Sequence, residues 1–169
     1  MKASVYYGKG DIRIETVPDP KIQVSTDAVV RITHACICGS DLWFYRGEEP
    51  DWKPGFRTGH EWMGIAEEVG RDVRTVKKGD RVLAPFAFSD GSCEYCGKGL
   101  YTSCIHGGFW GGDNPGGQAE AIRALFADAT LAEKLDPSPV LDMKVDLVDV
   151  PKGYAAMDTR HTIKVMVQP

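Results

Sequence analysis

No Gly-x-Gly-x-x-Gly loop occurs in this sequence, so it offers no glycine-rich cradle for a dinucleotide pyrophosphate. No apolar run approaches the roughly 20 residues a membrane-spanning helix needs, and no membrane partner is expected. The first residues alternate polar and apolar without the apolar stretch of a secretory leader, so the expected location is cytoplasmic. Basic residues are scattered: 20 Lys and Arg stand among 24 Asp and Glu, for a net charge of −4. A nucleic-acid partner, which would need them clustered, is therefore not expected. Repeats, heptads and low-complexity tracts are missing too, which excludes solenoids and coiled coils.

What is present is one domain's length of globular composition, 43% apolar and 26% charged, with 19 Gly and 10 Pro spread along it. β-Branched and aromatic runs predict strands at Ala3–Tyr7, Ile12–Val17, Ala28–Thr33, Trp62–Val69, Arg81–Leu83, Lys144–Val150 and Thr162–Val167. Ser40–Tyr45 reads as a short helical turn capped by Ser40 or Asp41. Pro151 opens a second helix through Arg160. Ala119–Leu135 is ambiguous between helix and strand. Ser89–Gly117 is a loop-rich lobe dense in Gly and Cys, and so long a loop is functional or held by something. The fold class is mainly β with short helices, a partly open β-barrel.

Five cysteines are an odd number, and without an export signal metal ligation is the better reading than a disulfide framework. Cys38-Gly39-Ser40-Asp41 is followed by Gly59-His60-Glu61. A thiolate, an imidazole and a carboxylate suit Zn²⁺, and a catalytic zinc takes three protein ligands and leaves one position open. Glu61 could bind directly or orient the site from behind His60. Cys36 lies two residues before Cys38 and, in extended chain, shares its face; it is either a substitute ligand or a buried structural cysteine. A second group, Cys93-x2-Cys96-x7-Cys104, lies in the lobe.

Gly59-His60-Glu61-Trp62-Met63-Gly64, then Gly70 and Val73, resembles the Gly-His-Glu-x2-Gly-x5-Gly-x2-Val motif of the zinc-containing alcohol dehydrogenases, within the medium-chain dehydrogenase/reductase family. Cys38-Gly39-Ser40-Asp41, Lys78-Gly79-Asp80-Arg81-Val82 and the closing Gly153-Tyr154…Ile163-Lys164-Val165 match in the same order, so the resemblance covers nearly the whole chain. It implies a GroES-like catalytic domain with a zinc-binding lobe at about 89–117. It implies Cys38 and His60 as ligands of a catalytic zinc, and a Ser40 hydroxyl that takes the alcohol proton. It also implies a structural zinc in the lobe. Aligned from Cys104, the family's Cys-x2-Cys-x2-Cys-x7-Cys pattern puts Asp90 in the first ligand position, beside Cys93, Cys96 and Cys104. The rival reading makes Asp90-Gly91 a turn only; His106 is the reserve ligand.

Two departures stand out. Trp43 occupies the position of a histidine in many members, so the outer proton relay is in doubt. The family's remaining catalytic ligand, a Cys or Asp beyond the segment that ends here near Ala129, has no counterpart. The family's chain also leaves this domain for a Rossmann cofactor domain and returns. Here only about a dozen residues, Leu131 to Leu141, separate the two segments, while a single βαβ unit takes about 30. Residues 1–169 are therefore read as one GroES-like domain whose cofactor domain is excised between about 131 and 139.

The function implied is the zinc-binding domain of an alcohol dehydrogenase-like oxidoreductase that neither binds NAD(P) nor turns over alcohol by itself. One alternative is an active zinc-dependent alcohol or polyol dehydrogenase with weak or partner-supplied NAD(P); another is a GroES-like partner-binding module. A small alcohol or polyol is the ligand expected, and a monomer or weak dimer the state.

Overall fold

The computed structural model describes residues 1–49, 51–125, 130–131 and 141–169. Its spine is β3 (Asp27–Ile37), built from Asp-Ala-Val-Val-Arg-Ile-Thr-His-Ala-Cys-Ile. Ala28, Val30 and Ile32 alternate along it and are buried. The period of two puts that face on the core.

Three strands pair with β3. β4 (Trp62–Val69) and β8 (Ala121–Leu125) run antiparallel to it, and β11 (Val165–Gln168) pairs with its last residues. The path continues from β4 to β5 (Arg81–Ala84) and β9 (Thr130–Leu131), and from β11 to a parallel β10 (Met143–Asp146). Two register shifts in the β3–β4 ladder, at Val29/Val30 and Ile32/His34, increase its twist and bend. Among the described residues the path does not close, so the barrel is partly open, as expected. β1 (Lys2–Gly8) and β2 (Asp11–Thr16) form a separate hairpin, tied on by bridges Ala3–Ala119 and Val5–Arg57. In the lobe, β6 (Ala87–Phe88) and β7 (Gly108–Phe109) make a two-stranded clamp.

The Gly64 of the sequence motif has a steric reason. A Cβ there would lie 2.2 Å from the Arg31 carbonyl oxygen, so β4 can lie this close to β3 only without a side chain. Trp62, Ile122, Val30 and Val82 fill the barrel, and Tyr154 is a buried residue of α2 (Val150–Asp158). The short α1 (Asp41–Arg46) leads out of the Cys38 loop.

Several expectations are corrected in detail. The strand predicted at Lys144–Val150 ends at Asp146 and passes through a 3₁₀ turn, Leu147–Asp149, into α2. Leu147 and Val150 are both buried, a spacing of three that a strand cannot place on one face. The predicted Thr162–Val167 strand begins only at Val165. The amides of Ile163 and Lys164 donate instead to the Asp142 carboxylate. Within Ala119–Leu135, pairing to β3 and β5 makes strands at Ala121–Leu125 and Thr130–Leu131 despite helix-favouring composition. Residues 126–129 and 132–135 of that stretch lie outside the described residues, as does the expected excision point at about 131–139 beyond Leu131. The segments before and after it, β8 and β11, both pair with β3.

Candidate metal centres

The end of β3 delivers Cys38 into a tight loop. The Cys38 amide donates to Asp41 Oδ2 (2.9 Å), and the Asp41 amide donates back to the Cys38 carbonyl (3.1 Å). His60 and Glu61 immediately precede β4, and the Cys36 amide donates to the Glu61 carbonyl (3.0 Å), which sets the two segments side by side. One donor atom each from Cys38, His60 and Glu61 lies within 4.8 Å of the others. His60 Nδ1 is 3.2 Å from Oδ1 of the buried Asp41, and its Nε2 is 3.2 Å from Ser40 Oγ. Ser40 has helical dihedrals and makes no side-chain cap bond, contrary to the cap expected; its hydroxyl belongs to the site.

Burial opposes a charge on His60, yet Asp41 and Cys38 outweigh it and raise its pKa to about 10. The Cys38 thiol is lowered by its hydrogen bond with His60, against burial and with help from Ser40. The cluster thus sets an imidazole whose charge is favoured beside a thiol that is lowered and two carboxyl groups, a donor set that fits a divalent cation of zinc's ligand preference. Cys36 does not join this cluster. Burial and the nearby Glu61 push its thiol up to about 11, so it behaves as a neutral strand residue. Glu61 is not free: Lys164 Nζ donates to its Oε2. Burial works against the Lys164 charge, but Glu61 more than offsets it.

The lobe brings together Asp90, Cys93, Cys96 and Cys104, again with donor atoms within 4.8 Å of one another. Cys93 Sγ is 3.5 Å from Cys96 Sγ and 3.8 Å from Cys104 Sγ. Asp90 Oδ1 is 3.1 Å from Cys104 Sγ and 3.5 Å from Cys96 Sγ. A tetrahedral zinc with ordinary bond lengths requires about 3.8 Å between sulfurs and about 3.5 Å between sulfur and oxygen. The four side chains therefore fit a single ion. Asp90 Oδ2 meets Ser92 Oγ and His106 Nδ1 (2.6 Å), leaving Oδ1 toward the sulfurs. Ser92 above all, then His106 and Cys104, hold the Asp90 carboxyl far below the usual range. Asp90 also forms a turn, its Oδ1 accepting from the Ser92 amide (3.0 Å). His106 sits on Asp90 rather than among the sulfurs.

Residues 24–133 match the Alcohol dehydrogenase GroES-like domain. The chain belongs to that family. Among its curated relatives is a medium chain reductase/dehydrogenase of Acremonium sp, 40% identical over 91% of this chain and 53% of its own length. A zinc-type alcohol dehydrogenase-like protein of Bacillus subtilis is 42% identical over 77% of this chain and 38% of its own. The chain thus spans about half, or less, of the length of these relatives. An alcohol dehydrogenase structure from Thermus sp. ATN1 shares the fold, with a TM-score of 0.89 over 99% of both chains at 18% identity. A zinc dependent alcohol dehydrogenase structure from Streptococcus pneumonia is 31% identical, with a TM-score of 0.70 over 96% of this chain and 53% of that one.

In this GroES-like domain an apolar cavity and the candidate chemistry lie apart. A cavity of about 480 Å³ lined by Trp62, Phe86, Phe88, Phe109 and Trp110 opens beside the lobe and includes none of Cys38, His60 or Glu61. The Cys38–His60–Glu61 cluster, not the cavity, defines the candidate catalytic site, because it gathers ligand-type atoms and the cavity does not. Sequence reasoning missed two members of that site. Asp41 stood inside the Cys38 motif but was read as a helix cap. Lys164 stood inside the closing motif, and nothing local tells that it reaches Glu61. Among the described residues no helix is long and apolar enough to cross a membrane.

Proposed function

We propose that this chain is the zinc-binding catalytic domain of an alcohol dehydrogenase-like oxidoreductase, and that alone it neither holds NAD(P) nor turns over an alcohol. One observation carries the reading: Cys38, His60 and Glu61 converge on one point, with Asp41 behind the His60 ring. In this reading Cys38 and His60 hold the catalytic zinc, Glu61 is its third donor or its neighbour, and Asp90, Cys93, Cys96 and Cys104 hold a structural zinc. The catalytic ion supplies Lewis acidity toward an alcohol oxygen. Asp41 keeps the His60 ring oriented, and the Ser40 hydroxyl, beside His60, accepts the proton of a small alcohol or polyol. Trp43, 53% exposed, stands where many relatives of this family carry a histidine, so the proton leaves Ser40 to water rather than to an imidazole.

Inactivity of the isolated chain follows from positioning. Hydride transfer needs a nicotinamide held within about 3–3.5 Å of the alcohol carbon, and the sequence has no Gly-x-Gly-x-x-Gly loop to hold its pyrophosphate. Residues 1–169 are read as one domain with the cofactor domain excised between about 131 and 139, monomeric or weakly dimeric and cytoplasmic. Zinc analysis combined with NAD(P)H fluorescence tests this. Two zinc ions per chain and unchanged cofactor fluorescence are expected. Tight cofactor binding with turnover of a simple alcohol would overturn the inactive reading in favour of a complete dehydrogenase; no zinc would overturn both.

A further inference from the structure

Gln118 is fully buried at the start of the chain's run into β8, and nothing in its local sequence marks it. An amide buried without hydrogen-bond partners is destabilising. Here all four of its hydrogen-bonding positions are filled. Oε1 accepts from Thr58 Oγ1 (2.7 Å) and Tyr154 Oη (3.1 Å). Nε2 donates to the Cys36 carbonyl (3.0 Å) and to Asp41 Oδ2 (3.3 Å). The reverse orientation would set its oxygen against a carboxylate and a carbonyl, so only one orientation is stable. Thr58 Oγ1 also lies 2.8 Å from Ser4 Oγ; with its one proton committed to Gln118, Thr58 accepts from Ser4.

The consequence reaches His60. Asp41 Oδ2 receives the Gln118 amide and the Cys38 amide, which fixes the carboxylate plane. Oδ1 is buried without a hydrogen-bond partner among the described residues, and the nearest polar group facing it is His60 Nδ1 at 3.2 Å. We propose that Gln118 is a positioning residue of the Cys38–His60 centre: through Asp41 it fixes the ring orientation of His60 with the proton on Nδ1 and Nε2 free as the ligand atom. Through the Cys36 carbonyl it also anchors the strand end that carries Cys38. Tyr154 brings α2, from the far side of residues 132–140, into the same chain of contacts.

This inference rests on the metal reading above, and the experiment separates the two. Histidine-¹⁵N-labelled protein is loaded with ¹¹³Cd²⁺, which reports each centre by its own resonance, and zinc affinity is measured by competition. Wild type should show ¹¹³Cd coupled to Nε2 of His60 and a protected proton on Nδ1. Gln118→Met should weaken zinc at the Cys38–His60 centre about tenfold, expose the Nδ1 proton to exchange, and leave the lobe resonance unchanged. If the route runs through Asp41, adding Gln118→Met to Asp41→Asn should weaken zinc no further. Should Gln118→Met fail to fold, Thr58→Val with Tyr154→Phe removes the two donors that anchor Oε1 and holds the amide less firmly, and must weaken zinc at the same centre in the same direction. A variant that melts earlier yet keeps wild-type affinity and His60 signals makes Gln118 a packing residue and overturns the proposal. A wild-type protein that takes metal only in the lobe overturns this inference and the metal reading together.

Discussion

Lys164 reaches Glu61 across 103 residues of sequence, and their ion pair lies against the Cys38–His60 cluster. An ammonium so placed holds a carboxylate that would otherwise be available to a cation, and it repels that cation. Lys164→Met should therefore strengthen zinc at this centre by about tenfold, on the order of 1 kcal/mol for a partly screened charge near a protein surface. Competition with a chromophoric chelator reads the change. A weaker centre in the variant would mean that Lys164 supports the site instead of opposing it.

Asp90 supplies the one oxygen among the four clustered side chains of the lobe, with Oδ1 toward the sulfurs and Oδ2 taken by Ser92 and His106. Asp90→Ala should reduce zinc content by up to one ion per chain, and Asp90→Cys should retain it, because a thiolate is as competent a ligand. Cys38→Ser should remove only the other ion. Metal analysis on the three variants decides; unchanged zinc in Asp90→Ala would make Asp90 a turn residue.

A Cβ at Gly117 would fall 2.2 Å from Cδ1 of Trp62, which is itself buried edge-on against Trp110 at 5.2 Å. Both rings are buried and one must shift to admit the methyl, so Gly117→Ala should destabilise the domain by about 1–3 kcal/mol through overpacking. Urea denaturation gives the difference. Because the Gly117 amide donates to the Gly59 carbonyl (2.9 Å), metal affinity at His60 should fall with it.

The parts of this molecule that could be read in the sequence are those set by local spacing. Cys93, Cys96 and Cys104 announce a lobe by their intervals, and Trp62–Val69 announces a strand by its residue types. The Gly64 motif was visible as a pattern, while its cause, the Arg31 carbonyl, belongs to a different strand. Asp41 was misread because a carboxylate at the start of a helix has a cheap local role as a cap, whereas its actual neighbours, His60 and Gln118, are far away in sequence. The same holds for the end of β10. Leu147 and Val150 are apolar in either reading, and only burial of both shows that the period had changed from two to three.

Asp142 ties the last segment down. It accepts from Thr162 Oγ1 (2.5 Å) and from the amides of Ile163 (2.9 Å) and Lys164 (2.9 Å). These bonds, Thr162 foremost, lower its carboxyl to about 2 from an ordinary value of 3.8. A carboxyl with a depressed folded-state pKa contributes stability above its unfolded value and loses that contribution as pH falls toward the folded one. Asp142→Asn should therefore be less stable than wild type at pH 7, with the gap closing between about pH 4 and pH 2. Urea midpoints of both proteins across that range measure it; a gap independent of pH would show that the Asp142 charge is irrelevant. Since Asp142 also holds the backbone of Lys164, the variant should loosen the grip of Lys164 on Glu61, and zinc affinity at Cys38–His60 should shift in the direction that Lys164→Met sets.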